Sequence, residues 1–187
     1  MAKTAQRRAT YEDLLRVPEH LVAEIVGGEL FTSPRPASRH ARANTMLAAR
    51  LTNEFDDGSG GHGGTWWIVA EPELHLGTDV LVPDIAGWRR ERLPEYPDVA
   101  AFDLAPDWIC EVASPSTARL DRIRKLPAYA RHGVPFAWIV DPVQKSLEVY
   151  ELHGEHWTLI ATHEGDDVVR AQPFDAIDLN LDALWIL

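Results

Sequence analysis

Cysteine and long apolar runs are both scarce in this chain. Its 187 residues include a single cysteine, Cys110, so no disulfide can form within the chain. Cys110 follows Trp108 and Ile109, a setting typical of a buried, unreactive thiol. The longest apolar runs, such as residues 136–140, hold about five residues, far fewer than the roughly 18 that a membrane helix needs. No apolar segment follows the basic residues near the start, so we expect no secretory signal and a cytoplasmic protein.

Basic residues are outnumbered as well. The chain has 18 Lys and Arg against 29 Asp and Glu, a formal charge of −11, which argues against nucleic acid as a partner because phosphate binding depends mainly on Lys and Arg. The imbalance is uneven: residues 1–50 hold 8 basic and 5 acidic residues, whereas residues 133–187 hold 2 and 10. Two basic clusters lie near predicted helices, namely Arg35, Arg39, Arg42 and Arg50, and Arg119, Arg122, Arg124 and Lys125. Such clusters could approach phosphates or form solvated helix faces, and both interpretations stay open.

Internal repeats and low-complexity linkers are absent, which predicts one domain over residues 1–187 with residues 1–9 as a flexible tail. The glycine-rich stretch 57–64 is interpreted as a flexible loop, because glycine clusters lose much entropy on ordering and offer little surface to pack. It is not a phosphate-binding loop, since no Gly-Lys-Ser/Thr sequence follows it.

Local patterns in the first third of the chain predict a helix, a hairpin and a longer helix. The first helix is short and ends at Pro18. The hairpin spans residues 23–32 and turns at Gly27 and Gly28, a pair suited to the positive φ of a two-residue turn. Apolar residues at helical spacing then predict a first long helix from Ser38, a possible cap, to about residue 55.

The rest of the chain is dominated by apolar runs that predict strands. These runs cover residues 65–69 with a neighbouring strand at 73–76, and residues 80–88, 108–112, 136–140, 146–151 and 157–162. A second long helix is predicted after Ser116 toward Gly133, kinked at Pro127. The order of elements predicts an α/β protein in which a mixed sheet is flanked by two long helices and preceded by a β-hairpin.

Two carboxylates interrupt the predicted strands. Asp84 lies in the apolar run 80–86 and Glu111 lies in the run 108–113, where an ionised side chain is costly unless a cation or hydrogen bonds compensate it. Two such acids suggest one shared cation, and oxygen ligands suit Mg²⁺ or Mn²⁺. The alternatives are a buried ion pair with arginine or a solvated strand end.

The sequence resembles the Uma-type restriction endonucleases, which are members of the PD-(D/E)XK nuclease superfamily. The resemblance covers most of the chain and is carried by residues 24–30, 34–40, 71, 82–85, 111–117, 121, 125, 129, 133–134 and 138–142. It implies a restriction-endonuclease-like fold in which Asp84 and Glu111 hold a divalent metal. It also implies that a lysine positions or activates the attacking water.

The superfamily lysine is missing from its usual place. It should lie two residues after Glu111 on the same face of the strand, where this chain has Ala113. We expect Lys125 to substitute for it, because the second long helix could run back across the sheet toward Glu111. Asp121, Lys125 and Tyr129 share one helix face at i, i+4 and i+8. The alternative is a surface ion pair between Asp121 and Lys125.

Two further residues are candidates for the site. Glu71 precedes Pro72 and is expected to supply a third metal-binding carboxylate, although a simple acid at a strand end would look the same. His40 at the start of the first long helix matches a family position, where it could contact substrate or assist proton transfer. A helix-end histidine bonded to the backbone is the alternative. Glu24 on the hairpin could also approach the site, but a cross-strand pair would explain it equally well.

The sequence leaves three functions open. The first is a Mg²⁺- or Mn²⁺-dependent endonuclease that hydrolyses DNA, with catalytic residues Asp84, Glu111, Lys125, Glu71 and His40. The second is a nuclease-fold module that binds protein or nucleic acid without turnover, consistent with the acidic charge and with Ala113. A purely structural oligomer is a third possibility. A homodimer is expected, without a defined interface.

Overall fold

The computed structural model describes residues 7–57 and 61–185. Most of the expected tail and the centre of the glycine-rich stretch lie outside these ranges. The helices are α1 (Tyr11–Leu14), α2 (Ser38–Leu51), α3 (Ala118–Leu120), α4 (Leu126–Arg131) and α5 (Asp182–Trp185). A π-helical turn at Thr52–Asp56 extends α2, and another at Asp121–Lys125 joins α3 to α4. No helix in the described ranges is long and apolar enough to cross a bilayer.

The strands form one large sheet and two smaller ones. They are β1 (Leu21–Val26), β2 (Glu29–Pro34), β3 (Trp66–Ala70), β4 (Leu74–Leu76), β5 (Asp79–Leu81), β6 (Ile85–Arg89), β7 (Trp108–Val112), β8 (Phe136–Asp141), β9 (Ser146–His153), β10 (His156–Glu164), β11 (Val168–Val169) and β12 (Leu179–Asn180). The large sheet has the order β10-β9-β8-β7-β6-β3, with β7 and β8 parallel and its other pairs antiparallel. A parallel pair needs a long crossover, and α3, the π turn and α4 supply it.

The predicted hairpin is confirmed, but it belongs to a second sheet. β1 and β2 pair antiparallel around Gly27 (φ 62°) and Gly28 (φ 82°), backbone angles that glycine adopts without a steric penalty. This second sheet, the small sheet, has four strands in the order β2-β1-β5-β4. The predicted α/β class and mixed sheet are therefore confirmed, with an additional antiparallel sheet that the pattern did not predict.

Two strand predictions are wrong in a way that shapes the site. Residues 80–88 were predicted as one strand, whereas β5 ends at Leu81 in the small sheet and β6 starts at Ile85 in the large one. Pro83 lies in the break, where its missing N–H cannot weaken a ladder. Residues 73–76 were predicted to lie beside 65–69, but β4 pairs with β5 and β3 pairs with β6. The chain therefore changes sheets at Val82–Asp84.

Both long helices form at the predicted places. Ala37, not Ser38, is the N-cap of α2, and it makes no side-chain capping bond. The second helix reaches Arg131, and Gly133 follows it with φ 71°, the left-handed conformation of a helix stop. The π turn Asp121–Lys125 ends two residues before Pro127. Proline disrupts the turn that precedes it, because its ring clashes with the carbonyl four residues earlier.

The central strands of the large sheet, β6, β7 and β8, are buried on both faces. On one face, Trp108 and Trp138 of the sheet belong to an apolar cluster that includes Phe174 and residues of α2. On the other face, Ile109 of the sheet belongs to an apolar cluster that includes Tyr129 of α4. Side chains alternate along a strand, so Glu111 lies on the α4 face together with Ile109. A carboxylate thus enters a layer that is otherwise apolar.

Candidate active site

A cavity of about 900 Å³ opens between the small sheet and the ends of β6 and β7. All five sequence-predicted site residues line it, namely His40, Glu71, Asp84, Glu111 and Lys125. The fold therefore brings together residues that are as far as 85 positions apart in the sequence. Their contacts show which of them form a tight cluster and which lie at its edge.

Asp84 is fixed in the break between the two sheets rather than in the middle of a strand. Its Oδ2 accepts a hydrogen bond of 2.6 Å from the backbone N–H of Val112, the residue after Glu111. This bond holds the Asp84 carboxylate against the end of β7. The Asp84 side chain is 16% exposed, so it still reaches the cavity.

His40 contacts Asp84 from the first turn of α2. Its Nε2 lies 3.1 Å from Oδ1 and 3.2 Å from Oδ2 of that carboxylate. The ring is buried, and its Nδ1 has no hydrogen-bond partner among the described residues. The contact is made with a site carboxylate, which the backbone-bonded alternative did not anticipate.

Glu111 is held by two buried donors from the second long helix. Lys125 Nζ lies 2.9 Å from Oε1 and 3.0 Å from Oε2 of Glu111, and the Tyr129 hydroxyl donates to Oε1 at 2.7 Å. The Lys125 side chain is only 4% exposed, which excludes a surface ion pair with Asp121. Ala113 packs in the apolar layer on the same face, so the ammonium near Glu111 comes from the helix instead of the strand.

Glu24 and Asp121 are site residues that the sequence interpretation did not assign. Glu24 Oε1 accepts from Lys125 Nζ at 2.9 Å and from the N–H of Val82 at 2.8 Å, and Lys125 also donates to the Val82 carbonyl at 3.0 Å. Asp121 is 2% exposed and lines the same cavity. Glu24 could have been identified from the sequence as an acid between Ala23 and Ile25 in an apolar strand. Asp121 could have been identified from its i, i+4 spacing to Lys125.

Negative charge exceeds positive charge in this cluster. Burial raises the pKa of Glu111 well above its usual value, although Lys125 opposes the shift. Burial also raises the pKa of Asp121 to about 6 against the same opposition. For Lys125, burial works against the charged form, but Glu111, Glu24 and Asp121 outweigh it and hold its pKa well above normal. Several buried acids surround one ammonium, so a further cation would reduce the repulsion among them.

The donor chemistry fits Mg²⁺ or Mn²⁺. Among the described contacts, Asp84 Oδ1 is engaged by His40 alone and Glu111 Oε2 by Lys125 alone, and a carboxylate oxygen can accept two partners. One or two carboxylates, completed by water and substrate phosphate, is the usual protein share of a Mg²⁺ site. Residues 7–57 and 61–185 contain no group of three or more His, Cys, Asp or Glu arranged to hold a metal. The fit thus rests on Asp84 and Glu111.

Glu71 lies at the edge of the cluster. Its N–H donates to the Asp84 carbonyl at 3.0 Å, and its φ of 49° is in the left-handed region. Such a conformation costs on the order of 1–3 kcal/mol for a non-glycine residue and is concentrated at functional sites. The carboxylate lines the cavity but does not complete a three-acid cluster, so its role as a third metal ligand stays a prediction.

The raised pKa of Asp121 gives a pH-dependent stability prediction. Because its pKa of about 6 in the folded protein exceeds the ordinary aspartate pKa of 3.8, this group stabilises the fold at low pH, and that stability is lost as pH rises through 6. An asparagine keeps an acceptor for Thr117 without the charge. The unfolding free energy of Asp121→Asn minus that of wild type should rise by about 2–3 kcal/mol from pH 4 to pH 7.5.

Urea unfolding at both pH values measures this difference. Asp166→Asn is the matched control, because Asp166 is an exposed turn residue. Its difference from wild type in unfolding free energy should change by less than about 0.5 kcal/mol between pH 4 and pH 7.5. An Asp121→Asn difference that is the same at pH 4 and pH 7.5 would contradict the interpretation.

The protein is an α/β protein in which Asp84, Glu111 and Lys125 line one cavity. The structure is similar to a crystal structure titled "a putative nuclease belonging to DUF820" from Anabaena variabilis, with a TM-score of 0.73 and 20% identity over 95% of this chain and 97% of that chain. A search of curated proteins gave no match. Residues 8–183 match the Uma2 family model, described as "Putative restriction endonuclease". The chain belongs to the Uma2 family.

Proposed function

We propose that this protein is a Mg²⁺- or Mn²⁺-dependent endonuclease that hydrolyses DNA phosphodiester bonds. The observation that carries the proposal is the contact of Lys125 with Glu111 at 2.9 Å beside Asp84 in one cavity. Family membership supports the same class. In this proposal Lys125 takes the place of the usual strand lysine, because its ammonium reaches Glu111 from the helix.

Each residue has a physical role in this proposal. Asp84 and Glu111 would hold the metal, which would make water more acidic and offset the negative charge of the phosphoryl group. Lys125 keeps its proton because of the surrounding acids, so it acts as a fixed positive charge near the reacting phosphate. Tyr129 holds the Glu111 carboxylate in place. His40 lies against Asp84 and is positioned to contact substrate or carry a proton.

The net charge of −11 favours a second candidate, a module that binds without cleaving. A nuclease usually attracts phosphates through a surplus of Lys and Arg, and this chain lacks that surplus. The two candidates share the metal site and differ in turnover. Measuring metal binding and cleavage on the same preparation separates them.

The test is incubation of purified protein with plasmid and linear DNA, with Mg²⁺, with Mn²⁺ and with a chelator. We expect cleavage only with a divalent metal, and about a hundredfold slower cleavage by Asp84→Asn, because the variant loses a charged metal ligand. Calorimetry with Mn²⁺ should show binding to wild type and a large loss in the variant.

Two results would decide against the nuclease. Equal cleavage by wild type and Asp84→Asn would identify a co-purifying contaminant as the source. Binding of Mn²⁺ without cleavage of any DNA form would favour the binding module. The exposed acid Asp166 provides the control variant Asp166→Asn, which should cleave at the wild-type rate.

A further inference from the structure

The walls of the active-site cavity combine apolar segments with acidic side chains. The apolar part comes mainly from three segments: the end of α1 with the connection after it, the end of β2 with the connection to α2, and the loop before α3. Their apolar lining residues include Leu14, Leu15, Val17, Pro34, Pro36 and Pro115. Leu15 is 65% exposed, so part of this apolar lining is open to solvent.

The reactive groups lie deeper than these walls. The side chains of Glu111 and Lys125 are 2% and 4% exposed, against 16% for Asp84. The cavity of about 900 Å³ lies within the range of roughly 300–1,000 Å³ that encloses a small organic ligand. The cavity has room for a unit of about nucleotide size, and a substrate that reaches these groups would insert such a unit into it.

Positive charge near the cavity is limited. Apart from Lys125 and His40, Arg35 is the basic residue among the described lining residues. Duplex binding relies on many phosphate contacts, whereas an unpaired base can also be held between apolar side chains. In a duplex those faces are covered, and exposing a nucleotide costs a few kcal/mol, a cost that is smallest for a strand already single.

We propose that the site takes single-stranded DNA, or a single-stranded part of a larger DNA, in preference to continuous duplex. This inference rests on the proposed nuclease function and names its substrate class. The bases of the inserted nucleotides contact Leu14, Leu15 and the prolines, Arg35 contacts a neighbouring phosphate, and the phosphodiester reaches Asp84 and Glu111.

The test measures binding and cleavage separately with the full chain in 150 mM salt. Fluorescence anisotropy with a chelator present compares a labelled 20-nucleotide strand with the same sequence as a blunt duplex. Gel assays with Mn²⁺ compare cleavage of both, and of a duplex with a single-stranded tail. We expect at least tenfold tighter binding and at least tenfold faster cleavage of the single strand, with cuts in the tailed duplex confined to the tail.

Matched variants locate the binding surface. Leu15→Asp should weaken binding of the single strand at least tenfold, because it adds a negative charge to an apolar wall. Val143→Asp makes the same change at an exposed valine outside the cavity lining and should leave affinity within twofold of wild type. Both positions are exposed, so both variants should fold.

The outcomes distinguish this inference from the proposed function. Tighter binding of the single strand that Leu15→Asp removes, with no cleavage of either DNA, supports the substrate class and refutes the nuclease. Equal or tighter binding of duplex, faster cleavage of duplex, binding of neither DNA, or equal effects of the two variants overturns the inference.

Discussion

Replacing Lys125 with methionine should lower the unfolding free energy by about 3–5 kcal/mol at pH 8, because removing one partner of a buried ion pair leaves uncompensated buried charge. Lys125 lies 2.9 Å from both Glu24 and Glu111, and its loss leaves these acids and Asp121 without a cation. Methionine has nearly the same length, so packing changes little. Chemical denaturation at pH 8 measures the effect.

A second substitution tests whether charge is the cause. The double variant Lys125→Met/Glu111→Gln should recover at least about 1 kcal/mol, because one uncompensated carboxylate is removed, and such coupling is expected only between groups in contact. Lys145→Met, at an exposed turn, should change stability by less than about 0.5 kcal/mol. If Lys125→Met behaves like Lys145→Met, the buried cluster does not exist in solution.

The loss of stability in Lys125→Met should diminish on acidification. The pKa of Glu111 and the pKa of Asp121 are raised by burial, and removal of Lys125 takes away the group that opposes both shifts. Protonation then neutralises these acids at a higher pH than in wild type. The difference from wild type should therefore narrow below pH 6, which a cavity or packing defect would not produce.

Sequence patterns were sufficient where a local rule decides the structure. The Gly27–Gly28 turn, the spacing of Ala43, Leu47 and Leu51 in α2, and the apolar run of β7 each have one favourable conformation. These elements form where the pattern predicts them. Lys125 was expected near Glu111 because the second long helix could run back across the sheet. The parallel pairing of β7 with β8 gives the reason, since the crossover between parallel strands must run back in this way.

Patterns were insufficient where two sheets compete for one run of residues. Residues 80–88 look like a single apolar strand, and only the pairing of Ile25 with Val80 and of Ile85 with Cys110 shows that they divide between sheets. The break at Pro83 places Asp84 at a sheet junction. Glu24 was ambiguous for the same reason, because its partners Val82 and Lys125 are distant in sequence and meet only after the small sheet forms.

Glu111→Gln should separate activity from stability. Cleavage should fall about a thousandfold, because this carboxylate both contacts Lys125 and would hold the metal, and loss of one preorganised charged group costs roughly 10²–10³ in rate. The fold should not suffer, since Lys125 keeps Glu24 at 2.9 Å and glutamine can still accept from Tyr129. Burial already disfavours the charged form of Glu111.

The expected result is an unfolding free energy at pH 8 that equals wild type or exceeds it by up to about 2 kcal/mol, the direction found when a strained functional group is replaced. Glu148→Gln is the matched control: Glu148 also accepts from a tyrosine hydroxyl, that of Tyr150 at 2.6 Å, but lies outside the cavity lining. It should cleave at the wild-type rate. A Glu111→Gln protein that is unstable and also slow would indicate a structural carboxylate, whereas a stable and slow one identifies an acid kept in the apolar layer for chemistry.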